Sequence, residues 1–262
     1  MQQTVTSLKN RPAWIDLSSP DPQASRDFYA KLLGWQIEVS DDPQYGGYAT
    51  ARIGERSVGG IGPKQDPGAP TAWLLYIGTD DIDALARDVA NAGGTVVVEP
   101  FDVGKQGRMA VFQDPCGAFI SAWQSAPGTH ASTFLAGAPN AFGWAELNAR
   151  GVERAIPFYE QVFGWTHRSS ETGAGQPPYN EFLLDGESIL GAWEMNPAVP
   201  AQVPSYWQVY FTVADLDATY ENALELGARE MVGPSDYPGG RFAIVIDPQG
   251  ASFGLLQAAP GR

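Results

Sequence analysis

The chain repeats itself. AWIDLSSPDPQASRDFYAKLLGW near the start returns as GWAELNARGVERAIPFYEQVFGW near residue 143. At an offset of 130, Trp14 meets Trp144, Asp16 meets Glu146, Phe28-Tyr29 meets Phe158-Tyr159 and Gly34-Trp35 meets Gly164-Trp165. AWLLYIGTDDIDAL (72–85) then meets YWQVYFTVADLDAT (206–219) at 134, and FQDPCGAFISAWQ (112–124) meets VIDPQGASFGLLQ (245–257) at 133. The offset drifts because surface loops take insertions at small entropic cost. Three pairs account for six of the eight tryptophans, leaving Trp123 and Trp193 without a counterpart. A period of this length constrains the fold more than any single motif, because both halves must build the same series of elements. The Ser/Gly/Ala/Pro-rich stretch between the halves reads as a linker. The expected modules are therefore 1–126 and 141–262, joined by 127–140.

Each half divides again. Residues 12–18 alternate like a half-buried strand. Pro22 then opens a helix in which Ala24, Phe28, Tyr29, Leu32 and Leu33 recur at helical spacing, and Gly34 can close it. Strands are predicted near 35–39, 47–53 and 56–61. The order repeats with a strand at 72–79, a helix at 81–92 and strands near 95–100, 107–113 and 117–124. Asp80 or Asp81, and Asp215, suit helix N-caps. The count is four βαβββ units, which makes the class α+β, with helices on one side of curved mixed sheets and concave cavities on the other.

Composition narrows the partners. With 16 Lys+Arg against 30 Asp+Glu the net charge is −14, so no basic stripe is available for nucleic acid or an anionic membrane. No apolar run reaches the 18 residues of a spanning helix. The single cysteine, Cys116, allows no internal disulfide. With no apolar signal segment at the start, a cytoplasmic location is expected.

SSPDPQASRDFYAKLLGW, GERSVGGIGP, DDIDALARDVANAGG and FQDPCGAFISAWQ, in that order and echoed in the second half, resemble the vicinal oxygen chelate superfamily. That superfamily comprises glyoxalases, extradiol dioxygenases, fosfomycin-modifying enzymes and bleomycin-resistance proteins. The tandem form is similar to a group of actinobacterial glyoxalase-like proteins. The resemblance implies a divalent-metal site with ligands on the first and last strands of a unit. Carried over singly, those positions hold Trp14, Trp144, Leu74, Gln208, Ser121 and Gly254. Of these side chains only Gln208 offers a ligand of the usual kind, and an indole has no lone pair to give. His130 and His167 lie elsewhere. A divalent metal is therefore disfavoured, and no cofactor is expected.

Aromatic residues take the place of ligands. Trp14 and Trp144 suit either a core or a ring-binding floor, whereas Trp35, Trp165, Trp73 and Trp207 lean towards core. Trp123 and Trp193 can face a cavity, and being unpaired they imply that the two pockets differ. Asp16 and Glu146 are carboxylates in otherwise apolar strands, costly to bury unless they meet a partner or a ligand. They are the candidate catalytic acid/bases, unless they pair with Arg108 or Arg241. Trp14, Trp144, Gln208, Ser121, Trp123, Trp193 and Gly254 are the candidate ligand-binding residues. The Asp-Pro-x-Gly motifs at 114–117 and 247–250 read as turn chemistry.

The leading expectation is metal-independent binding of a hydrophobic, aromatic or polyketide-like small molecule, as in antibiotic resistance by sequestration. The alternative is a tailoring enzyme (isomerase, lyase, cyclase or hydroxylase-like) using Asp16 or Glu146. A metal-dependent glyoxalase or dioxygenase ranks third. A monomer or homodimer is expected, since the tandem already supplies a pseudo-two-fold.

Overall fold

The computed structural model describes residues 8–127, 135–173 and 175–259. His130 and residues 128–134 of the linker lie outside them. The first half runs β1 (Pro12–Ser19), α1 (Pro22–Leu33), β2 (Gln36–Val39), a 3-10 turn at Pro43–Tyr45, β3 (Ala49–Ile53) and β4 (Arg56–Pro63). It continues with β5 (Ala72–Gly78), α2 (Ile82–Asn91), β6 (Thr95–Val103), β7 (Gly107–Gln113) and β8 (Phe119–Ser125). The second half repeats this as β9 (Phe142–Ala149), α3 (Val152–Phe163), β10 (Thr166–Ser170), β11 (Tyr179–Leu184) and β12 (Glu187–Glu194). It ends with β13 (Tyr206–Thr212), α4 (Leu216–Glu225), β14 (Arg229–Tyr237), β15 (Gly240–Ile246) and β16 (Ser252–Ala258). The four expected βαβββ repeats are all present, and the class is α+β.

Two eight-stranded sheets result, ordered β2-β3-β4-β1-β5-β8-β7-β6 and β10-β11-β12-β9-β13-β16-β15-β14. Within each repeat the first strand pairs in parallel with the last, β1 with β4 and β9 with β12, and the remaining neighbours run antiparallel. The local signals explain the elements. Asp21, Asp81 and Asp215 accept from the backbone N–H three residues on, at 3.0, 2.8 and 3.1 Å, as N-caps do. Gly34 and Gly164 close α1 and α3 in the left-handed conformation. β1 alternates half-buried and buried residues along its whole length, so Trp14, Asp16 and Ser18 share one face and Ile15 and Leu17 the other.

The described residues form two compact units, and each draws on both halves. One holds the chain up to Trp14, then Leu75 to the linker, then Ala145–Trp207; the other holds Ile15–Leu74, the linker's end to Trp144, and Gln208 onward. In the second of these, Tyr29 of α1 stacks on Trp35, with centroids 5.6 Å apart, and meets Trp73 edge-on at 5.2 Å. The Trp73 indole donates to the Tyr29 hydroxyl at 2.9 Å, and that hydroxyl donates to Asp247 at 3.0 Å. In the first, Tyr159 of α3 stacks on Trp165 at 5.7 Å and meets Trp207 at 5.4 Å. Trp207 donates to Tyr159 at 2.9 Å, and Tyr159 to Asp114 at 2.9 Å.

The Asp-Pro-x-Gly turns are thus more than turns. The other oxygen of Asp247 accepts from the N–H groups of Gln249 and Ala251, and that of Asp114 from Cys116 and Ala118. Every polar atom of the relay is satisfied inside the core, as a buried group requires. Burial first, and then the neighbouring aspartate, pushes the Tyr29 and Tyr159 hydroxyls well above the ordinary phenol range. Both therefore stay neutral donors.

Candidate functional site

The carboxylates predicted from the sequence lie at matched places. Asp16 of β1 is opposite Gly60 of β4, and Glu146 of β9 is opposite Gly191 of β12. Glu146 is only 8 % exposed, so its charge sits in a poorly hydrated place. On the same sheet face Asn148 is opposite Trp193, and Glu181 of β11 is opposite Gly191. Tyr179 packs edge-on against Trp193 at 5.2 Å. Tyr206, at the start of β13, completes the group: burial and then the negative charge of Glu146 raise its phenol above the ordinary range. Burial alone would raise the Glu181 carboxyl, but the Ser188 hydroxyl and Arg168 outweigh it and hold it below its usual value.

This cluster of a buried carboxylate, a phenol and an aromatic wall lies within one compact unit. It can accept a hydrogen bond from a hydroxyl-bearing ligand and stack against a ring. Sequence reasoning named Glu146 and Trp193 but missed Tyr206. The first-half counterpart of Tyr206 is Ala72, so the repeat gives it no emphasis.

The other candidates are placed as follows. Trp14 and Trp144 are half-buried on the faces that carry Asp16 and Glu146. Ser121 of β8, opposite Tyr76, is fully buried, and its hydroxyl has no partner among the described residues. Trp123, two residues on, is half-buried and donates to the Ser125 hydroxyl at 3.1 Å. The Gln208 amide is engaged at both ends, accepting from Ser252 at 2.9 Å and donating to the Val209 carbonyl at 3.2 Å. Gly254 lies opposite Tyr210, whose ring stands where a side chain at 254 would go.

Arg108 and Arg241 do make ion pairs. Arg108 pairs with Asp83 in the first turn of α2 and with Asp102 across its own hairpin, and Arg241 with Asp217 in the first turn of α4 and with Asp236 across its own hairpin. Cys116 donates to the Gly151 carbonyl at 3.1 Å, and burial pushes its thiol up to about 11, which suits packing and not nucleophilic attack. Two surface depressions, of about 300 and 250 Å³, lie beside Tyr237 and Arg241 and beside Arg26 and Trp35. None of the candidate residues lines either.

The chain belongs to the Glyoxalase/Bleomycin resistance protein/Dioxygenase superfamily, whose model matches residues 11–121 and 141–255. It is 39% identical over 255 residues to CFP32 of Mycobacterium tuberculosis, whose name assigns it provisionally to the glyoxylases; the match covers 95% of each chain. It is 37% identical over 264 residues to the anthracycline biosynthesis protein DnrV of Streptomyces peucetius, covering 95% of this chain and 94% of that one. Among solved structures, the Mn(II)-bound glyoxalase from Novosphingobium aromaticivorans shares the fold, with a TM-score of 0.64 and 18% identity over 96% of this chain and 83% of that one. No helix among the described residues is long and apolar enough to cross a membrane.

A divalent metal, as in that glyoxalase, needs carboxylate or imidazole donors. The six positions where the family resemblance places ligands hold two indoles, a leucine, a glycine, a neutral buried serine and a glutamine already tied by two hydrogen bonds. The residues present do not fit a metal there.

Proposed function

We propose that the chain binds a flat, hydrophobic aromatic molecule of polyketide type, without a metal, on the sheet face around Glu146. The observation that carries this reading is the buried Glu146 carboxylate beside the Tyr206 phenol and the Trp193–Tyr179 pair. The carboxylate offers an acceptor to a ligand hydroxyl, and the rings supply stacking area at low entropic cost. The anthracycline biosynthesis relatives of Streptomyces make a polycyclic polyketide a natural class to test. On this reading the partner is a small molecule and not nucleic acid or a membrane. The protein then works in the cytoplasm, as a monomer or homodimer.

Alizarin, a dihydroxyanthraquinone, is a suitable probe, followed by tryptophan quenching. Glu146→Gln removes the charged acceptor and Trp193→Ala removes the wall. Each should weaken binding about tenfold or more, by roughly 1.4 kcal/mol. Unchanged affinity in both variants rejects this site.

The proximity of Glu146 and Tyr206 also favours a second reading, an isomerase- or cyclase-like tailoring enzyme. Glu146 would then take a proton from the ligand while Tyr206 donates to a developing oxyanion. Under that reading Glu146→Gln lowers turnover of a polyketide substrate about a hundredfold or more, well beyond its effect on affinity. Equal losses in turnover and affinity count against it.

A further inference from the structure

The sheet face around Asp16 has the same register as the face around Glu146, yet it is filled differently. Ala49 pairs with Ile61 and Thr50 with Gly60, so Tyr48 falls opposite Gly62. Its ring does not stand upright but lies back across β4. A Cβ at Gly62 would sit 2.8 Å from the ring, and one at Gly60 would overlap the hydroxyl end. Gly60 is the register partner of Asp16, and Gly62 that of Ser18. A phenol ring therefore already occupies the trough next to the carboxylate.

In the second half Gly191 keeps the place of Gly60, but Trp193 takes that of Gly62. The tyrosine equivalent to Tyr48, Tyr179, is turned edge-on against that indole. The turn that delivers Tyr48 is fixed from outside the sheet. Gly46 and Gly47 adopt φ of 57° and 80°, and Arg26 of α1 donates to the Gly47 carbonyl at 3.0 Å. A rotation of the Tyr48 side chain, with the backbone turn kept, would empty the trough.

We propose that Tyr48 is a built-in occupant of a second ring-binding slot, so that the face around Asp16 takes a planar phenolic ligand only when this side chain is displaced. The slot's chemistry is read from its occupant: a ring lying on two glycines, with a hydroxyl reaching the register position of a carboxylate. The inference rests on the ring-binding reading of the Glu146 face for its ligand class, but its readout is separate.

The test is isothermal titration of alizarin into the full chain. Wild type and Tyr48→Phe, which keeps the ring, should bind one equivalent. Tyr48→Val, which keeps a strand-compatible β-branched residue, should bind one more than wild type. Asp16→Asn added to Tyr48→Val should weaken only that extra site, by about tenfold. Tyr48→Thr is used if Tyr48→Val does not fold. A rise from none to one supports the slot while removing the Glu146 site. Equal counts in wild type and Tyr48→Val, whether none or one, overturn the proposal and leave Tyr48 as a cover for two glycines.

Discussion

The two compact units agree in their cores and differ on their sheet faces. In the cores, Trp73, Tyr29 and Asp247 repeat as Trp207, Tyr159 and Asp114, with hydrogen bonds within about 0.1 Å of each other. On the faces, Asp16 with Gly60, Gly62 and Tyr48 has become Glu146 with Gly191, Trp193 and Tyr179. A duplicated chain is free to change where a side chain meets solvent or ligand. It is held where a buried polar atom needs its partner, because an orphaned donor or acceptor costs far more than the bond itself contributes. The shared relay is therefore the scaffold, and the sheet faces are where the two halves differ.

The largest test of that contrast is in the core. Tyr29→Phe and Tyr159→Phe each strand a buried indole N–H and remove one donor from a buried aspartate. Each should cost about 2–4 kcal/mol in urea unfolding, and the two costs should match. A loss confined to one copy would break the equivalence of the cores.

The smallest effect expected is on the second-half face alone. Tyr206 has its phenol raised by burial and by the Glu146 charge. Removing that charge in Glu146→Gln should move its ionisation down towards the ordinary tyrosine value. The shift is read as the difference between ultraviolet titrations with and without Tyr206→Phe. An upward shift, or none, would separate the two residues.

Much of this was legible in the sequence. The repeat offsets located all four βαβββ repeats because each copy corrected the other. Residue type alone gave the cap at Asp215 and narrowed the other to Asp80 or Asp81, of which Asp81 is the cap. Trp35 and Trp165 read as core and are buried, each donating to an asparagine carbonyl at 2.7 Å.

Other features were hidden for physical reasons. A duplication shows that Tyr29 and Tyr159 are equivalent but not which aspartate each one reaches. Tyr29 finds Asp247, 218 residues away, and Tyr159 finds Asp114. The sequence offered Arg108 and Arg241 as partners for Asp16 and Glu146, whereas the acidic first turns of α2 and α4 as their partners emerge only from how each hairpin folds onto its helix. Tyr206 was invisible because repeat matching rewards what is shared. Tyr48 and Tyr179 do match at the register offset of their strands, but only the backbone course shows one ring lying across glycines and the other turned aside.

The proposed binding of an aromatic ligand at the Glu146 face does not depend on a metal. Calorimetric titration of alizarin into protein dialysed against EDTA tests it most directly, repeated after adding Mn(II). Saturable binding is expected in EDTA, with the same affinity in Mn(II) and weakening in Glu146→Gln. Binding that appears only when Mn(II) is present would contradict it.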